Sequence, residues 1–433
     1  MTFPRILLVR QHFPDRSLAD VAGAVQAELH RSRLAERLRP GASVAIGVGS
    51  RGIANIAVIT RAVVDYFKAQ RMRPFIFPAM GSHGAATAEG QARVLAHFGI
   101  REATMECPIR SQLDVVNTGR TEDGIETWVD RLAWESDGIM LVGRVKWHTD
   151  FEGEIESGLF KMMAIGLGKF AGAAAYHTHA YKLGLERVIL SVGRHLLQTG
   201  KILGGLAILE DAYHQTALVA ALAAEEMEAR ERELLRLVKS WMGRIPVEAL
   251  DILVVDEIGK NISGAGMDTK VVNRCDSGPP NPWPYAPKIE RIFVRSLSPL
   301  SYGSAVGMGM ADVVTKRFVE AIDWEPTIVN ALTASSFATM RLPVHFATDR
   351  ECLERLWPTV GKFDPLEVTL GWIRNTLVLD RLVLSENLRA ELERRPELEI
   401  LGPPRELAFD AEGNLVELLE ARHGWEQLAG ASA

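Results

Sequence analysis

Residues 43–80, SVAIGVGSRGIANIAVITRAVVDYFKAQRMRPFIFPAM, contain two short apolar runs separated by a longer amphipathic stretch. The runs Ser43–Gly49 and Pro74–Met80 are bounded by Gly or Pro, which is typical of buried strands. Between them, Ile53–Gln70 carries apolar residues at helical spacing. This strand–helix–strand order is the repeating unit of a parallel sheet, and it predicts an α/β fold.

The same alternation of short apolar runs and amphipathic stretches continues along the chain. Three further buried strands are predicted at Gly138–Gly143, Leu203–Leu209 and Asp251–Val255, and one further helix at Thr87–Phe98. The stretch Ala217–Trp241 is rich in Ala, Leu, Glu and Arg and has no Gly or Pro, which predicts a long helix. We expect this helix to lead into a second domain.

The length of 433 residues predicts more than one domain. We expect an N-terminal catalytic domain over 1–246, a C-terminal α/β domain over 247–403, and a final segment, 404–433, that returns to the first domain. Leu388–Pro404 is charged and contains three prolines, which fits such a crossing, and the proline-rich stretch Cys275–Lys288 predicts an irregular loop. The expected fold is two α/β domains with mainly parallel sheets and an active-site cleft between them.

Composition and charge exclude several classes of partner. The formal net charge of −6, from 49 basic and 55 acidic residues, gives no reason to expect nucleic acid or an anionic membrane. The three cysteines are far apart and form no CxxC pair, which argues against a disulfide framework or a zinc site. No apolar run approaches the ~20 residues needed to cross a bilayer. We therefore expect a cytoplasmic protein.

The first candidate site is the turn Val48–Arg51 (VGSR), directly after a predicted strand. Ligands of α/β proteins usually lie at such carboxyl ends of strands. Arg51 could hold a carboxylate through two parallel hydrogen bonds, and Ser50 lies beside it. A surface arginine in a loop is the alternative. The turn has neither GxGxxG nor the lysine of a phosphate-binding loop.

The second candidate is Ala79–Thr87 (AMGSHGAAT), which also follows a predicted strand. His83 is surrounded by small residues, and glycine lets the backbone approach a ligand closely. A neutral imidazole can act as a general base near pH 7. A histidine that caps the following helix or points to solvent is the alternative.

The densest candidate stretch is Gly143–His179, where titratable side chains lie in a Gly-rich, apolar backbone. They include His148, His177, His179, Lys146, Lys161 and Lys169. Burying such groups costs several kcal/mol unless they serve a site or are paired, so the combination favours a functional site. A solvated loop with an exposed His-x-His pair is the alternative.

Together, these segments resemble the lactate racemase family over about residues 40–185. Members of that family carry nickel in a pincer made from a pyridinium mononucleotide. The resemblance implies a role for each matching residue: Arg51 binds the substrate carboxylate, His83 and His148 are the two catalytic bases, Lys161 holds the cofactor covalently as a thioamide, His177 binds nickel, and Ser50, Ser157 and Gly158 lie at the cofactor.

The resemblance also implies the reaction, the cofactor and the partners. The reaction would be racemisation or epimerisation of a 2-hydroxy acid, such as a lactate-like acid, a larger hydroxy acid or a sugar acid. The cofactor would be Ni(II) pyridinium-3,5-bisthiocarboxylic acid mononucleotide, the nickel-pincer nucleotide. Hydride transfer avoids a carbanion at a barely acidic carbon, and two histidines serve the two hydroxyl configurations. Cofactor-biosynthesis proteins are implied partners, and a homo-oligomer is compatible with this assignment.

The predicted second domain departs from the family pattern. The stretches 257–268 (EIGKNISGAGMD) and 307–317 (GMGMADVVTKR) do not reproduce the family segment whose tyrosine, glutamine and lysine meet the substrate. Lys260 and Lys316 are the predicted substrate-binding replacements. The other candidates are Asn261, Asp268 and Asp312. Ordinary helix and loop polarity explains each of them equally well, so the chain is expected to be a divergent branch of unassigned substrate.

Two other classes of function remain open from the sequence. One is a metal-dependent hydrolase or lyase that uses His148, His177 and His179 as zinc or iron ligands. The other is a non-catalytic binding protein on the same fold, in which the candidate residues need not converge.

Overall fold

The computed structural model describes residues 3–50, 52–275, 279–333 and 335–419. The strands are β1 (Ile6–Gln11), β2 (Ser43–Val48), β3 (Arg73–Pro78), β4 (Val115–Arg120), β5 (Glu126–Asp130), β6 (Gly138–Arg144), β7 (Ile202–Glu210), β8 (Thr216–Ala223), β9 (Ala249–Ile258), β10 (Lys288–Leu297), β11 (Val313–Thr315), β12 (Val344–Phe346), β13 (Leu370–Ile373), β14 (Arg381–Ser385) and β15 (Leu398–Ile400).

The α-helices are α1 (Val21–Ser32), α2 (Ile56–Ala69), α3 (Ala88–His97), α4 (Glu102–Met105), α5 (Arg131–Glu135), α6 (Leu159–Lys161), α7 (Lys169–Leu183), α8 (Leu185–Gln198), α9 (Met227–Lys239), α10 (Thr269–Val272), α11 (Lys316–Glu320), α12 (Trp324–Thr333), α13 (Asp349–Leu356) and α14 (Arg389–Leu392). A π-helical turn, Met162–Gly166, follows α6. Short 3-10 turns lie at Leu34–Arg37, Gly84–Ala86, Pro299–Ser301, Met308–Met310, Phe337–Met340, Trp357–Val360, Pro365–Glu367 and Glu386–Leu388.

The described chain divides into two compact units. The first unit is Asp15–Met242, and the second consists of residues 3–14 together with residues 243–419. Both are layered α/β structures with mainly parallel sheets, so the predicted fold class is confirmed.

In the first unit, five of the described strands form a sheet in the order β3-β2-β6-β7-β8, and β4 and β5 form a separate two-stranded sheet. The first four strands are parallel, and β8 is antiparallel to β7. Alternate residues of β2 enter different apolar cores. Val44 and Ile46 share one with Ile59 of α2, and Ala45 shares the other with Leu159 of α6. Because helices cover both faces, the strands are continuous apolar runs, which is why the sequence pattern predicted them.

The helix predicted at Thr87–Phe98 is confirmed as α3. The Thr87 side chain accepts a hydrogen bond from the Gly90 N–H at 3.0 Å, which satisfies an otherwise unpaired donor in the first turn. The glycine at position 84 has a positive φ of 66°, which lets the chain turn sharply between His83 and this helix.

In the second unit, the described strands form an eight-stranded sheet in the order β12-β11-β10-β9-β13-β14-β1-β15. The strands β12, β11, β10, β9 and β13 run parallel to one another. Each of the next three strands, β14, β1 and β15, is antiparallel to the strand before it in this order. The first strand of the chain, β1, and the last, β15, therefore both belong to this sheet.

This sheet corrects the predicted domain boundaries. Residues 3–14 and 404–419 were expected in the first domain, but Ile6 of β1 pairs with Ser385 of β14 and forms an isolated bridge with Arg405. The rings of Phe3 and Phe409 also lie 6.3 Å apart. These contacts assign both segments to the second unit. Residues 420–433 lie outside the described residues.

The predicted helix Ala217–Trp241 is also corrected. Its first part forms β8, in which Leu218 pairs with Leu209 of β7, and the helix α9 begins only at Met227. The open edge of the apolar sheet offers β8 a full ladder of backbone hydrogen bonds. That tertiary pairing overrides the helix propensity of the Ala- and Leu-rich segment, because propensity contributes only a few tenths of a kcal/mol per residue. Over the residues that the structure describes, no helix is long and apolar enough to span a membrane.

Candidate functional site

The carboxyl ends of three neighbouring strands carry three of the predicted site residues. In the order β3-β2-β6, His83 follows β3, Ser50 follows β2 and His148 follows β6. Because these strands are parallel, their following loops meet at the same edge of the sheet, where α/β proteins commonly bind ligands. Arg51, predicted to bind a carboxylate at this edge, lies outside the described residues.

Ser50 contacts His83 directly, since its Oγ forms a hydrogen bond with His83 Nδ1. Ser50 is buried and His83 is half-buried. The bond restrains the imidazole ring whichever atom donates. When Nδ1 carries the proton, Nε2 is the basic nitrogen, as a general base requires.

His148 contacts Lys161, with Nε2 and Nζ 2.6 Å apart. The backbone N–H of Asp150 donates to His148 Nδ1 at 3.0 Å, which favours the tautomer with the proton on Nε2. The Nε2–H group then donates to Nζ. An amine that accepts this hydrogen bond has a lone pair and is uncharged, so in this tautomer Lys161 is a neutral, nucleophilic amine.

Glu156 organises the loop that carries His148, and the sequence analysis did not single it out. This buried carboxylate accepts hydrogen bonds from the His148 N–H and, at 3.1 Å, from the Gly153 N–H. Lys239 of α9 forms an ion pair with it. The signal in the sequence was a carboxylate inside the Gly-rich stretch, but nothing there distinguished Glu156 from its acidic neighbours.

His177 lies on α7 and is half-buried. Burial is the main cause that lowers the pKa of His177; the positive charge of Lys161 acts in the same direction, and Asp150 opposes both. Since burial is the largest cause, the direction also holds when Lys161 is an amine. His177 is therefore a neutral imidazole at pH 7, with a lone pair suited to a metal ion.

His179 does not join this group. It lies two residues beyond His177 on the same helix, which turns its side chain roughly 200° away about the helix axis. Among the residues that the structure describes, no group of three or more His, Cys, Asp or Glu side chains is arranged to hold a metal ion. The arrangement therefore does not favour the hydrolase alternative with His148, His177 and His179 as ligands.

Ser157 and Gly158, predicted to lie at the cofactor, have structural contacts in the first unit. The backbone of Ser157 pairs with that of Lys146 through hydrogen bonds of 2.9 and 3.2 Å. A Cβ on Gly158 would lie 2.1 Å from Oε1 of Glu231, so a larger residue there would force the Glu231 carboxyl group to move. Glu231 accepts a hydrogen bond from the Phe160 N–H at 3.1 Å, next to Lys161.

Glu231, on α9, was missed by the sequence analysis. Burial raises its pKa to about 8, against the opposing effect of the Phe160 and Leu159 N–H groups. The side chain is therefore protonated at neutral pH. Its hydrogen bond to the start of α6 helps to hold the backbone that carries Lys161.

The residues predicted to bind substrate from the second unit have local contacts there. Lys260 Nζ donates to the Gly264 carbonyl at 3.0 Å, and Lys316 forms an exposed ion pair with Glu320 at 3.6 Å. Asp268 caps α10, and Asp312 accepts a hydrogen bond from the Ile292 N–H at 2.7 Å. The predicted substrate roles of Lys260 and Lys316 stay predictions.

In sequence, the chain matches no family model and no curated protein. Its structure is similar to that of a Thermotoga maritima protein from a structural genomics programme, with a TM-score of 0.51 and 13% identity, covering 85% of this chain and 99% of that one. A match at this identity shows a common α/β fold. The lactate racemase apoprotein from Thermoanaerobacterium thermosaccharolyticum matches with a TM-score of 0.48 and 12% identity, covering 84% of this chain and 92% of that one.

Proposed function

We propose that this chain is an isomerase that racemises or epimerises a 2-hydroxy acid with a nickel-pincer nucleotide attached to Lys161. The observation that carries the proposal is the 2.6 Å hydrogen bond between Lys161 Nζ and His148 Nε2, together with the Asp150 N–H on Nδ1. A neutral amine is the form of lysine that can bond covalently to an acyl or thioacyl carbon. In the Nε2–H tautomer, Lys161 is in the form that attachment needs, whereas catalysis by His148 as a base requires Nε2 to be free of its proton.

The donor chemistry of this region fits the cofactor. Lys161 supplies an uncharged amine for attachment, and His177 supplies a neutral nitrogen of borderline softness, which Ni(II) accepts readily. Sulfur and carbon donors of the pincer would complete the coordination, so a single histidine is sufficient. When bound, the cofactor supplies a reversible acceptor for the α-hydrogen of the substrate as hydride.

The histidines would handle the hydroxyl proton. In either direction, one imidazole would accept it from the substrate hydroxyl, and the other would return a proton to that oxygen from the other side. His83 and His148 follow β3 and β6, which have β2 between them. At about 4.8 Å per strand, the ends of β3 and β6 lie roughly 10 Å apart. That separation leaves room for a small hydroxy acid.

The remaining roles follow from the same proposal. Arg51 would bind the substrate carboxylate and so orient the α-carbon. Proteins that synthesise the cofactor would have to load the chain. The cytoplasmic location and a homo-oligomeric state belong to the same set of predictions.

The proposal is tested on the full chain produced together with cofactor-biosynthesis proteins. Intact-mass spectrometry and metal analysis should show an added covalent mass and bound nickel. Single enantiomers of lactate, of larger 2-hydroxy acids and of sugar acids are then incubated with the loaded chain in D₂O. The two enantiomers present after the incubation are separated and quantified. We expect inversion with the α-hydrogen retained, because hydride does not exchange with solvent.

Three outcomes would overturn parts of the proposal. A chain with neither mass nor nickel would refute the cofactor assignment. A loaded chain that inverts no 2-hydroxy acid would refute the reaction. Inversion with deuterium at the α-carbon would replace hydride transfer by deprotonation.

A further inference from the structure

Lys169 is a fully buried lysine midway in sequence between Lys161 and His177. Its exposed fraction is 0%, and its backbone has a φ of +53°, in the left-handed region. Glycine adopts that region freely, whereas a side chain makes it unfavourable. Favourable side-chain contacts must therefore offset the unfavourable backbone conformation of this lysine.

The ammonium group of Lys169 has three acceptors in the first unit. Nζ donates to the Pro78 carbonyl at 2.6 Å and to Gln91 Oε1 at 3.2 Å, and it forms an ion pair with Asp130 at 3.1 Å. Two of the three N–H groups of the ammonium therefore donate hydrogen bonds, and the carboxylate of Asp130 balances its charge. Asp130 has an exposed fraction of 0%, and its backbone N–H donates to the Leu167 carbonyl at 2.8 Å. Lys169 is thus tied to the end of β3 on one side and to β5 on the other.

The contact with Lys169 and the contacts with two carbonyl groups require the same orientation of the Gln91 amide. An ammonium can only donate, so it must face the amide oxygen, and the amide nitrogen then points the other way. That nitrogen donates to the Gly81 carbonyl at 2.9 Å and to the His83 carbonyl at 3.3 Å. Gln91 is fully buried on α3, so water does not compete for these bonds.

We propose that Lys169 is a positioning residue that, through Gln91, holds the His83 loop against the segment carrying Lys161 and His177. The hydrogen bonds run from Lys169 to Gln91 and from Gln91 to the carbonyl of His83 itself. The relay therefore sets where His83 stands relative to the other candidate residues. Its effect on turnover rests on the proposed function, but its effect on the His83 ring does not.

The test uses nitrogen NMR of the full chain labelled with ¹⁵N-histidine, without requiring turnover. Gln91→Met removes the bonds to the loop and leaves the Lys169–Asp130 pair intact. We expect the His83 ring signals to shift and broaden because Ser50 no longer faces a fixed ring. His195, which bonds to the Thr118 carbonyl at 3.0 Å, is the internal control and should not change.

A second variant removes the charge pair as a unit. Lys169→Met combined with Asp130→Asn leaves no unpaired buried carboxylate, and the asparagine can still accept the Ala133 N–H that Asp130 Oδ1 now accepts. The same His83 change is expected, and adding Gln91→Met should produce no further change, because coupled residues are not additive.

Unchanged His83 signals in either folded variant would overturn the relay, as would additive changes in the combined variant. In the loaded enzyme, we expect turnover to fall about tenfold with the covalent mass retained. If no variant and no wild-type preparation turns over a hydroxy acid, the proposed function fails, while the NMR result still decides the relay.

Discussion

The loops after β6 and after β3 each carry one predicted base, but they hold it in different ways. In the β6 loop, His148 is held by close neighbours in sequence: Asp150 donates to its ring and Glu156 accepts its backbone N–H. Its contact with Lys161 also lies within the same stretch. The side chains that this loop needs are therefore encoded largely within the loop.

In the β3 loop, two contacts that organise His83 depend on residues far away in the chain. Ser50 comes from the turn after β2, 33 residues before His83, and Gln91 of α3 is itself contacted by Lys169, 78 residues further along the chain. His148 is therefore positioned by residues near it in sequence, whereas the position of His83 depends on tertiary contacts. Changes far from His83 in sequence should therefore disturb it, whereas His148 should respond mainly to changes in its own loop.

The largest expected effect is that of Lys161→Ala, which removes the amine that contacts His148. Without the amine, no covalent bond to the cofactor can form, so the added mass and the activity should both be lost. Intact-mass spectrometry checks this, with Lys182→Ala, an exposed lysine on α7, as the control. A covalent mass retained in Lys161→Ala would contradict the assignment.

The second effect compares the two bases directly. His83→Gln and His148→Gln should each lower turnover by about 10²–10⁴-fold in both directions, because each direction uses one imidazole as base and the other as acid. The rates from both enantiomers are measured in holoenzyme of equal cofactor content. Undiminished rates in either variant would remove that histidine from the mechanism.

The third effect concerns the support beneath Lys161 and depends on pH. The pKa of Glu231 is raised to about 8 from an ordinary value of 4.5, so between these pH values the folded chain binds the extra proton. The contribution of Glu231 to the free energy of unfolding should therefore be largest below pH 4.5. It should fall by up to about 1.4 kcal/mol per pH unit as the pH rises towards 8.

Glu231→Gln should remove this slope, since the amide keeps an acceptor for the Phe160 N–H but does not ionise. Denaturant unfolding at several pH values measures it, with the exposed Glu233→Gln on the same helix as the control. Parallel slopes in Glu231→Gln and the wild-type chain would show that Glu231 ionises normally.

The smallest expected effect is that of Ser50→Ala, which removes one hydrogen bond to His83. Such a bond contributes about 1 kcal/mol, so turnover should fall about fivefold with the cofactor mass unchanged. Ser82→Ala, in the His83 loop, is the control. Loss of the covalent mass in Ser50→Ala would instead support the cofactor contact predicted for Ser50 from the sequence.

Much of the first unit was predictable because its signals are local. The strands at Ser43–Val48 and Gly138–Arg144 are short apolar runs buried on both faces, and the sequence analysis located them to within a residue or two. The candidates His148, Lys161 and His177 came from one dense stretch. Their proximity follows from the short path between β6 and α7.

The partners of these residues were harder to predict. Glu231 and Lys239 come from α9, whose start was obscured by the mistaken long helix. Their polar side chains look like those of any amphipathic surface helix. Only their burial distinguishes them, and burial depends on what packs against the helix.

The sequence by itself determined the α/β class, the central strands and the dense group of candidate residues, because apolar periodicity and spacing are properties of neighbouring residues. Only the tertiary structure decided that β8 is a strand, that the segments around Ile6 and Arg405 belong to the second unit, and that Lys169 reaches the His83 loop. Each of these depends on hydrogen bonds or packing between residues far apart in the chain. The free energy of such contacts exceeds local propensity and leaves no local pattern to detect.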